Sequence, residues 1–316
     1  MNTTLKKSLK IVLPLVLGGF LVWYSLSSIS ISTLVSYFQN ANYWWIALGL
    51  FFGVLSHLSR AYRWKFMLEP IGYKPKFTNS VLAVLVGYLV NLAIPRAGEV
   101  SRAAVLANYE DVPFEKGFGT IVAERIADLI MMLLIIAITL FVQFDFIYEL
   151  LTKNFDPTKI ILILVGLIIG FYVFTQYIKK ATKGFALKIK TFVTGLAEGV
   201  TSIFKMKNKW AFIFHTVFIW TMYVAMFWAT IPAIEGLNVP FGGILIGFIA
   251  GGFSIAATNG GVGLYPIAVA SALALFGIDN EPATAFGWIM WTAQTAMIII
   301  FGGLSFLMLP IYNKNK

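Results

Sequence analysis

Three charged residues, Arg96, Glu99 and Arg102, lie beside Pro95 within a region of the sequence that is otherwise apolar. Arginine carries a planar fork of N–H donors, which suits bidentate contact with a phosphate. Proline ends one helix here and leaves free amides at the start of the next, and these amides together with Arg96 attract an anion. The pattern predicts an anion site. Asn91, one turn earlier, is expected to cap the broken helix, with a substrate contact as the second interpretation.

A second charged group follows in the next apolar run, within the sequence AERIAD. Glu124 and Asp128 are spaced i, i+4 and share a helix face, while Arg125 is placed to bridge toward Asp128 at i, i+3. Charged residues inside a membrane segment cost at least about 2.5–3.5 kcal/mol each near its centre, so they face a cavity or one another. Two interpretations stay open. The two groups form a substrate site, or they form an ion-pair network that fixes one element against another.

A third stretch, ATNGGVGLYP, interrupts another apolar region and contains Asn259, Gly260 and Gly261. It lacks the lysine and hydroxyl residue of a P-loop, so its glycines favour a flexible turn lined by backbone. Asn259 is placed either to hydrogen-bond a polar head group or to cap freed amides. The chain has no cysteine and only two histidines, which argues against a metal centre, and no cofactor is predicted.

The elements that position these residues are membrane helices. The 316-residue chain is 59% hydrophobic and 12% charged, and its mean hydropathy is +0.82, far above that of a soluble domain. We therefore predict an all-α, polytopic helical membrane protein with a single transmembrane domain over residues 1–316. Six runs are long enough to span the hydrocarbon core, at 11–29, 44–63, 114–142, 158–178, 210–231 and 283–309.

Two further apolar regions, 79–108 and 241–277, are interrupted and set the threading. Basic residues mark the N-terminus, the 60–78 loop, the 179–209 segment with its eight lysines and the C-terminal tail as cytoplasmic. This assignment holds only if each interrupted region returns to the side that it left. We predict two oppositely oriented re-entrant or broken hairpins whose breaks face each other, as in carriers with a substrate site near mid-depth. Both termini are then cytoplasmic.

The remaining connections lie on the membrane surface. Segment 181–209 alternates lysines with apolar residues at helical spacing and predicts an amphipathic helix on the cytoplasmic interface, and segment 32–43 is a weaker case on the outer face. The net charge of +10 is explained by the retention of basic loops beside anionic lipid, so no nucleic-acid partner is predicted.

Four motifs are distributed along the chain: RAYRW (60–64), NLAIPRAGEVSRAAVL (91–106), VAERIADL (122–129) and TNGGVGLYPIAV (258–269). Together they resemble the transmembrane region of the lysylphosphatidylglycerol synthase family, over nearly the whole chain. Many relatives carry a glutamate soon after the Gly-Gly-x-Gly turn, where this chain has Tyr265 and Pro266, so a role that depends on that glutamate is not expected here.

The resemblance implies a flippase-like domain that moves phospholipid or isoprenoid-linked lipid between leaflets of the plasma membrane. No synthase domain is expected, because the chain ends soon after its last apolar run, and the protein is predicted not to be an enzyme. The expected partners are membrane lipids with anionic head groups, bound by the charged residues above with Asn91, Asn259, Gly260 and Gly261; self-association is left open. An intramembrane lipid-modifying enzyme and a non-transporting subunit of an envelope assembly are the alternatives.

Overall fold

The structure is a computed structural model in which every regular element among the described residues is a helix. It describes residues 16–154, 156–184 and 206–314, together with single positions and short pieces between 186 and 203. The α-helices are Val16–Ser27 (α1), Ile31–Asn40 (α2), Tyr43–Leu68 (α3), Phe77–Ala93 (α4), Ala97–Tyr109 (α5), Phe114–Val142 (α6), Phe144–Asn154 (α7), Pro157–Lys180 (α8), Lys209–Thr230 (α9), Phe241–Ala257 (α10), Leu264–Ala274 (α11) and Asn280–Tyr312 (α12). This confirms the all-α fold class.

The six predicted spans correspond to α1, α3, α6, α8, α9 and α12. Among the described residues, length and composition qualify three helices as spans (α6, the helix beginning at Lys209, and α12), or four if the bent pair α1 and α2 counts as one. The total of six stays a prediction. The predicted cytoplasmic helix at 181–209 lies largely outside the described residues, whereas α2 occupies the predicted outer segment.

The chain forms two compact units. The first contains the described residues of Met1–Glu124 and Trp210–Lys316, and the second those of Arg125–Lys209. In the second unit, α7 and α8 pack on each other. The first unit holds α1 to α5, the beginning of α6 and all helices from α9 onward, and it contains both interrupted regions.

The first interrupted region is a hairpin of α4 and α5 that packs beside the C-terminal half of α12. At its open end, the Asn79 amide donates to Glu110 at 2.5 Å and exchanges two hydrogen bonds of 2.9 Å with Asn313. Farther along α4, a side chain added at Gly302 of α12 would meet Leu85 and Leu89. The beginning of α4 and the end of α5 therefore lie together, at the C-terminal end of α12.

The second interrupted region is a hairpin of α10 and α11 beside the N-terminal half of α12. At the open end of this hairpin, Gly243 of α10 packs against Phe276, which follows α11. A Cβ added at Gly243 would lie 3.4 Å from the Phe276 ring. Toward its break, the Trp291 indole of α12 donates to the carbonyl of Gly260 at 2.8 Å. The two hairpins thus start from opposite ends of α12, in the opposite orientations that the sequence predicts.

Local backbone chemistry explains both breaks. Helix α4 ends at Ala93 because Ile94 precedes a proline and is extended, with φ −132° and ψ 115°. Arg96 then adopts the left-handed conformation with φ 62° and ψ 7°, which costs a non-glycine residue about 1–2 kcal/mol. The second break, between α10 and α11, contains Gly260, Gly261 and Gly263, whose φ values of 67°, 82° and 68° are tolerated by glycine.

Candidate functional site

A buried carboxylate, Glu124, is the centre of the charged residues in the first unit. Its Oε1 accepts hydrogen bonds from Arg60 at 3.1 Å and from Arg63 at 2.8 Å, and its Oε2 accepts one from Arg102 at 3.0 Å. All four residues are at most 3% exposed. We call Arg60, Arg63, Arg102 and Glu124 the arginine cluster.

Four helices contribute to the surroundings of the arginine cluster. The guanidinium of Arg102, on α5, lies over the ring of Trp64 on α3, 4.3 Å from its centroid. The Trp64 indole donates to Thr120 of α6 at 2.8 Å. Arg63 donates to Thr216 of α9 at 2.9 Å. These contacts join α3, α5, α6 and α9 around the buried cluster.

Two members of the cluster, Arg60 and Arg63, were not predicted as site residues. The sequence pattern placed them in a cytoplasmic loop at 60–78, which is wrong because α3 continues to Leu68 and buries both. Arg60 and Arg63 are spaced i, i+3 and lie beside Ala61 and Trp64, which are apolar and buried on the same helix. This pattern is the signal that could have placed both arginines inside the protein. The sequence alone could not show that they meet Glu124, which is more than 60 residues away along the chain.

The residues at the first break have a different environment from Arg102. Arg96 is exposed and makes no side-chain hydrogen bond or ion pair within the described part of the chain. Asn91, at the end of α4, accepts a hydrogen bond from the Gly98 N–H at 2.7 Å, so it caps the beginning of α5 as expected of a capping residue. Glu99 lies half-buried in the first turn of α5. The two arginines of the first hairpin therefore lie in different environments: Arg96 is exposed and Arg102 is buried.

The two breaks meet in the first unit. The Asn259 amide lies 3.5 Å from the carbonyl of Leu92, and a Cβ added at Gly260 would come within 2.9 Å of the Leu92 side chain. A Cβ at Gly261 would lie 3.1 Å from Tyr265. The two breaks therefore face each other, and Gly260 leaves room for the Leu92 side chain at their contact.

Arg125 and Asp128 belong to the second unit. They form the predicted i, i+3 pair, with an N–O distance of 3.7 Å and side-chain exposures of 41% and 10%. Asp128 follows Glu124 by one turn of α6, but the two residues fall in different units. Among the described residues, no group of three or more histidine, cysteine, aspartate or glutamate side chains could hold a metal ion.

Comparisons with known proteins bear on the membrane domain. Residues 11–302 match the family described as "Lysylphosphatidylglycerol synthase TM region". The chain is 28% identical over 125 residues to the UPF0104 membrane protein MJ1595 of Methanocaldococcus jannaschii, covering 39% of this chain and 37% of that protein. It is 29% identical over 100 residues to the Glycosyltransferase AglD of Haloferax volcanii, covering 31% of this chain and 16% of that protein.

The chain thus matches well under half the length of either relative. No solved structure matches the chain significantly. The family match covers nearly the whole sequence. The protein is a multi-pass helical membrane protein that belongs to the family of lysylphosphatidylglycerol synthase transmembrane regions.

Proposed function

We propose that the protein moves a lipid with an anionic head group, a phospholipid or an isoprenoid-linked lipid, between the leaflets of the plasma membrane. The observation that carries the proposal is the meeting of two oppositely oriented broken hairpins beside an exposed arginine. Irregular backbone within a membrane is tolerated where it is buried in protein or lines a wet cavity. Carriers place their substrate sites at such paired breaks.

The proposed head-group contact is the first break. Arg96 presents an exposed guanidinium at the beginning of α5, and the helix dipole adds positive potential there. A left-handed backbone at a residue other than glycine persists only where the surrounding structure holds it, and such strain is concentrated at functional positions. Asn259 and the glycines of the second break provide amide and backbone groups on the opposite wall.

The arginine cluster serves a different purpose in this proposal. Its charges are almost fully shielded from lipid and water, so a head group would have to displace Glu124 to reach them. The network instead holds α5, and with it the first break, against α3 and α6. Arg96, Asn259, Gly260 and Gly261 are therefore proposed as substrate contacts, with Arg102 and Glu124 as positioning residues. Glu99, half-buried in the first turn of α5, is proposed to bind a cationic substituent of the head group.

A vesicle assay tests the proposal. The purified full chain is reconstituted into phosphatidylglycerol and phosphatidylethanolamine vesicles with a trace of fluorescent phosphatidylglycerol, and dithionite then quenches the label in the outer leaflet. With protein present, nearly all of the label should become quenchable, whereas protein-free vesicles should keep about half protected. Arg96→Gln should slow the exchange at least tenfold at an unchanged unfolding midpoint, and the matched charge loss Lys74→Gln, at an exposed position, should not.

Each other outcome counts against translocation. If wild-type vesicles behave like empty ones, the proposal is wrong. A lipid of altered mass without exchange would favour the intramembrane enzyme, and neither exchange nor altered lipid would favour the envelope subunit. Equal slowing by the Arg96 and Lys74 variants would remove the first break from the lipid path.

A further inference from the structure

A partly enclosed groove lies beside α2, in the first unit and away from both breaks. It has a cavity volume of about 310 Å³, which is near the lower end of small-ligand sites. Its walls are one face of α2 and the end of a short 3-10 helix (Ile231–Ala233) that follows α9, with the turn after it. The lining residues are Thr33, Ser36, Tyr37, Asn40, Ala233, Ile234 and Glu235. We call it the α2 groove.

Helix α2 turns its polar side chains toward this groove. Thr33, Tyr37 and Asn40 follow one another at helical spacing and share a face with Ser36. Leu34, Phe38 and part of the Tyr37 side chain pack against the apolar core, so the orientation of the helix is fixed by packing. The groove is thus lined by hydroxyl, phenol, amide and carboxylate groups, and the Tyr37 ring is half-buried in its wall.

The α2 groove and the arginine cluster lie toward opposite ends of α3. The Asn42 N–H, next to the beginning of α3, donates to the carbonyl of Ala233 in the groove wall at 2.9 Å. Arg60 follows Asn42 by 18 positions, which is about 27 Å along a helix and close to the thickness of the hydrocarbon core. With α3 crossing the membrane as the sequence predicts, the groove lies near the surface opposite the one next to the cluster.

The side chains of the groove select a class of ligand. Segment 232–240 contains Glu235 and no basic residue, so a phosphate gains nothing here. Hydroxyl and amide groups both donate and accept hydrogen bonds, a carboxylate accepts from hydroxyls, and an aromatic ring packs on an apolar face. A sugar ring has one apolar face and an edge of hydroxyls, which matches this lining.

We propose that the α2 groove binds the sugar of a glycosylated lipid head group. The inference rests on the proposed function, which makes the ligand a transported lipid. It narrows the substrate to lipids that carry a sugar beyond the phosphate. Tyr37 packs on the ring, and Asn40 and Glu235 bind its hydroxyls.

Ligand-detected NMR tests the groove independently of transport. The full chain in phosphatidylcholine nanodiscs is titrated with methyl glucoside and methyl mannoside, and saturation transfer to the sugar protons is measured. Signal from at least one glycoside should fall at least fivefold in Asn40→Ala and in Tyr37→Ala, and should stay unchanged in Gln39→Ala on the exposed side of α2. Thr33→Val, which removes only a hydroxyl, is the milder variant if Tyr37→Ala lowers the folded yield.

Two further arms identify the source of the sugar. Nanodiscs that contain glucosyl-diacylglycerol should lose the soluble-glycoside signal, because the lipid occupies the groove. Failure of that competition overturns the lipid source. No glycoside signal, equal signal in all variants, or transfer to tetramethylammonium instead overturns the sugar site. None of these results depends on the vesicle assay, in which Arg96→Gln separately tests translocation.

Discussion

Neutralising Glu124 is the most direct perturbation of the arginine cluster. Glu124→Gln keeps the shape of the side chain but removes the charge that three guanidinium groups share, at N–O distances of 3.1, 2.8 and 3.0 Å. Breaking a buried ion pair by removing one partner costs about 3–5 kcal/mol, because the other charge is left buried without compensation. The amide of the introduced glutamine also places its N–H donors against the N–H donors of the arginines. We therefore expect the free energy of unfolding to fall by at least about 3 kcal/mol.

A matched control separates burial from charge. Glu69 pairs with Lys65 at 3.6 Å, with side-chain exposures of 25% and 46%. Exposed pairs of this kind contribute below about 1 kcal/mol, so Glu69→Gln should leave the unfolding midpoint almost unchanged. Unfolding in mixed micelles is followed by tryptophan fluorescence, for which Trp64 lies directly against Arg102.

A double variant completes the measurement. Arg102→Met removes one of the three guanidiniums, so in the Glu124→Gln background it should cost less than it does alone. The coupling energy of the cycle should lie between about 0.5 and 3 kcal/mol, as for residues in one network. If Glu124→Gln is as stable as Glu69→Gln, the carboxylate is not the counter-ion of the cluster and the reasoning fails.

Two further predictions test the packing and threading of the hairpins. Gly98→Ala should destabilise the protein by about 1–3 kcal/mol, because its Cβ would overlap a backbone carbonyl of α4. The control Gly119→Ala, with no atom within 4 Å of an added Cβ, should be neutral or stabilising by up to about 1 kcal/mol. Equal unfolding midpoints for the two variants would contradict the close approach of α4 and α5. Since the chain has no native cysteine, single cysteines at Lys74 and Asp111 should react with an impermeant maleimide only after cells are opened, and one at Glu235 in intact cells. Labelling of the positions at 74 and 111 from opposite sides would show that the first hairpin crosses the membrane.

The lengths of the apolar runs predicted most of the helices, because a helix must reach a minimum length to cross the hydrocarbon core of a membrane. The run at 114–142 coincides with Phe114–Val142, and both hairpin breaks fall at the predicted proline and glycines. These features are local: a proline fixes its neighbour, and a glycine tolerates positive φ whatever lies nearby. The sidedness of the loops follows from charge and stays a prediction.

Pairing between distant residues could not be predicted in the same way. Arg60 and Arg63 follow an apolar run, and the same pattern is produced by a cytoplasmic loop and by a buried helical turn. Only the carboxylate of Glu124 decides between them, and nothing local to α3 indicates it. The same limit applies to Arg102, which the sequence grouped with Arg96 because the two are six positions apart.

The separation of Arg96 from the cluster leads to a last prediction, in which stability and transport change in opposite directions. Arg96→Gly relieves a left-handed backbone that costs about 1–2 kcal/mol in a non-glycine residue. Glycine loses more entropy on folding, which offsets part of this gain. The free energy of unfolding of the variant should therefore equal that of wild type or exceed it by up to about 1 kcal/mol. The same change removes the exposed guanidinium and should slow lipid exchange at least tenfold. A scaffold residue would lose both properties together, and Glu124→Gln is expected to do so. If Arg96→Gly exchanges lipid at the wild-type rate, the strain at the first break serves the backbone turn alone and the head-group contact lies elsewhere.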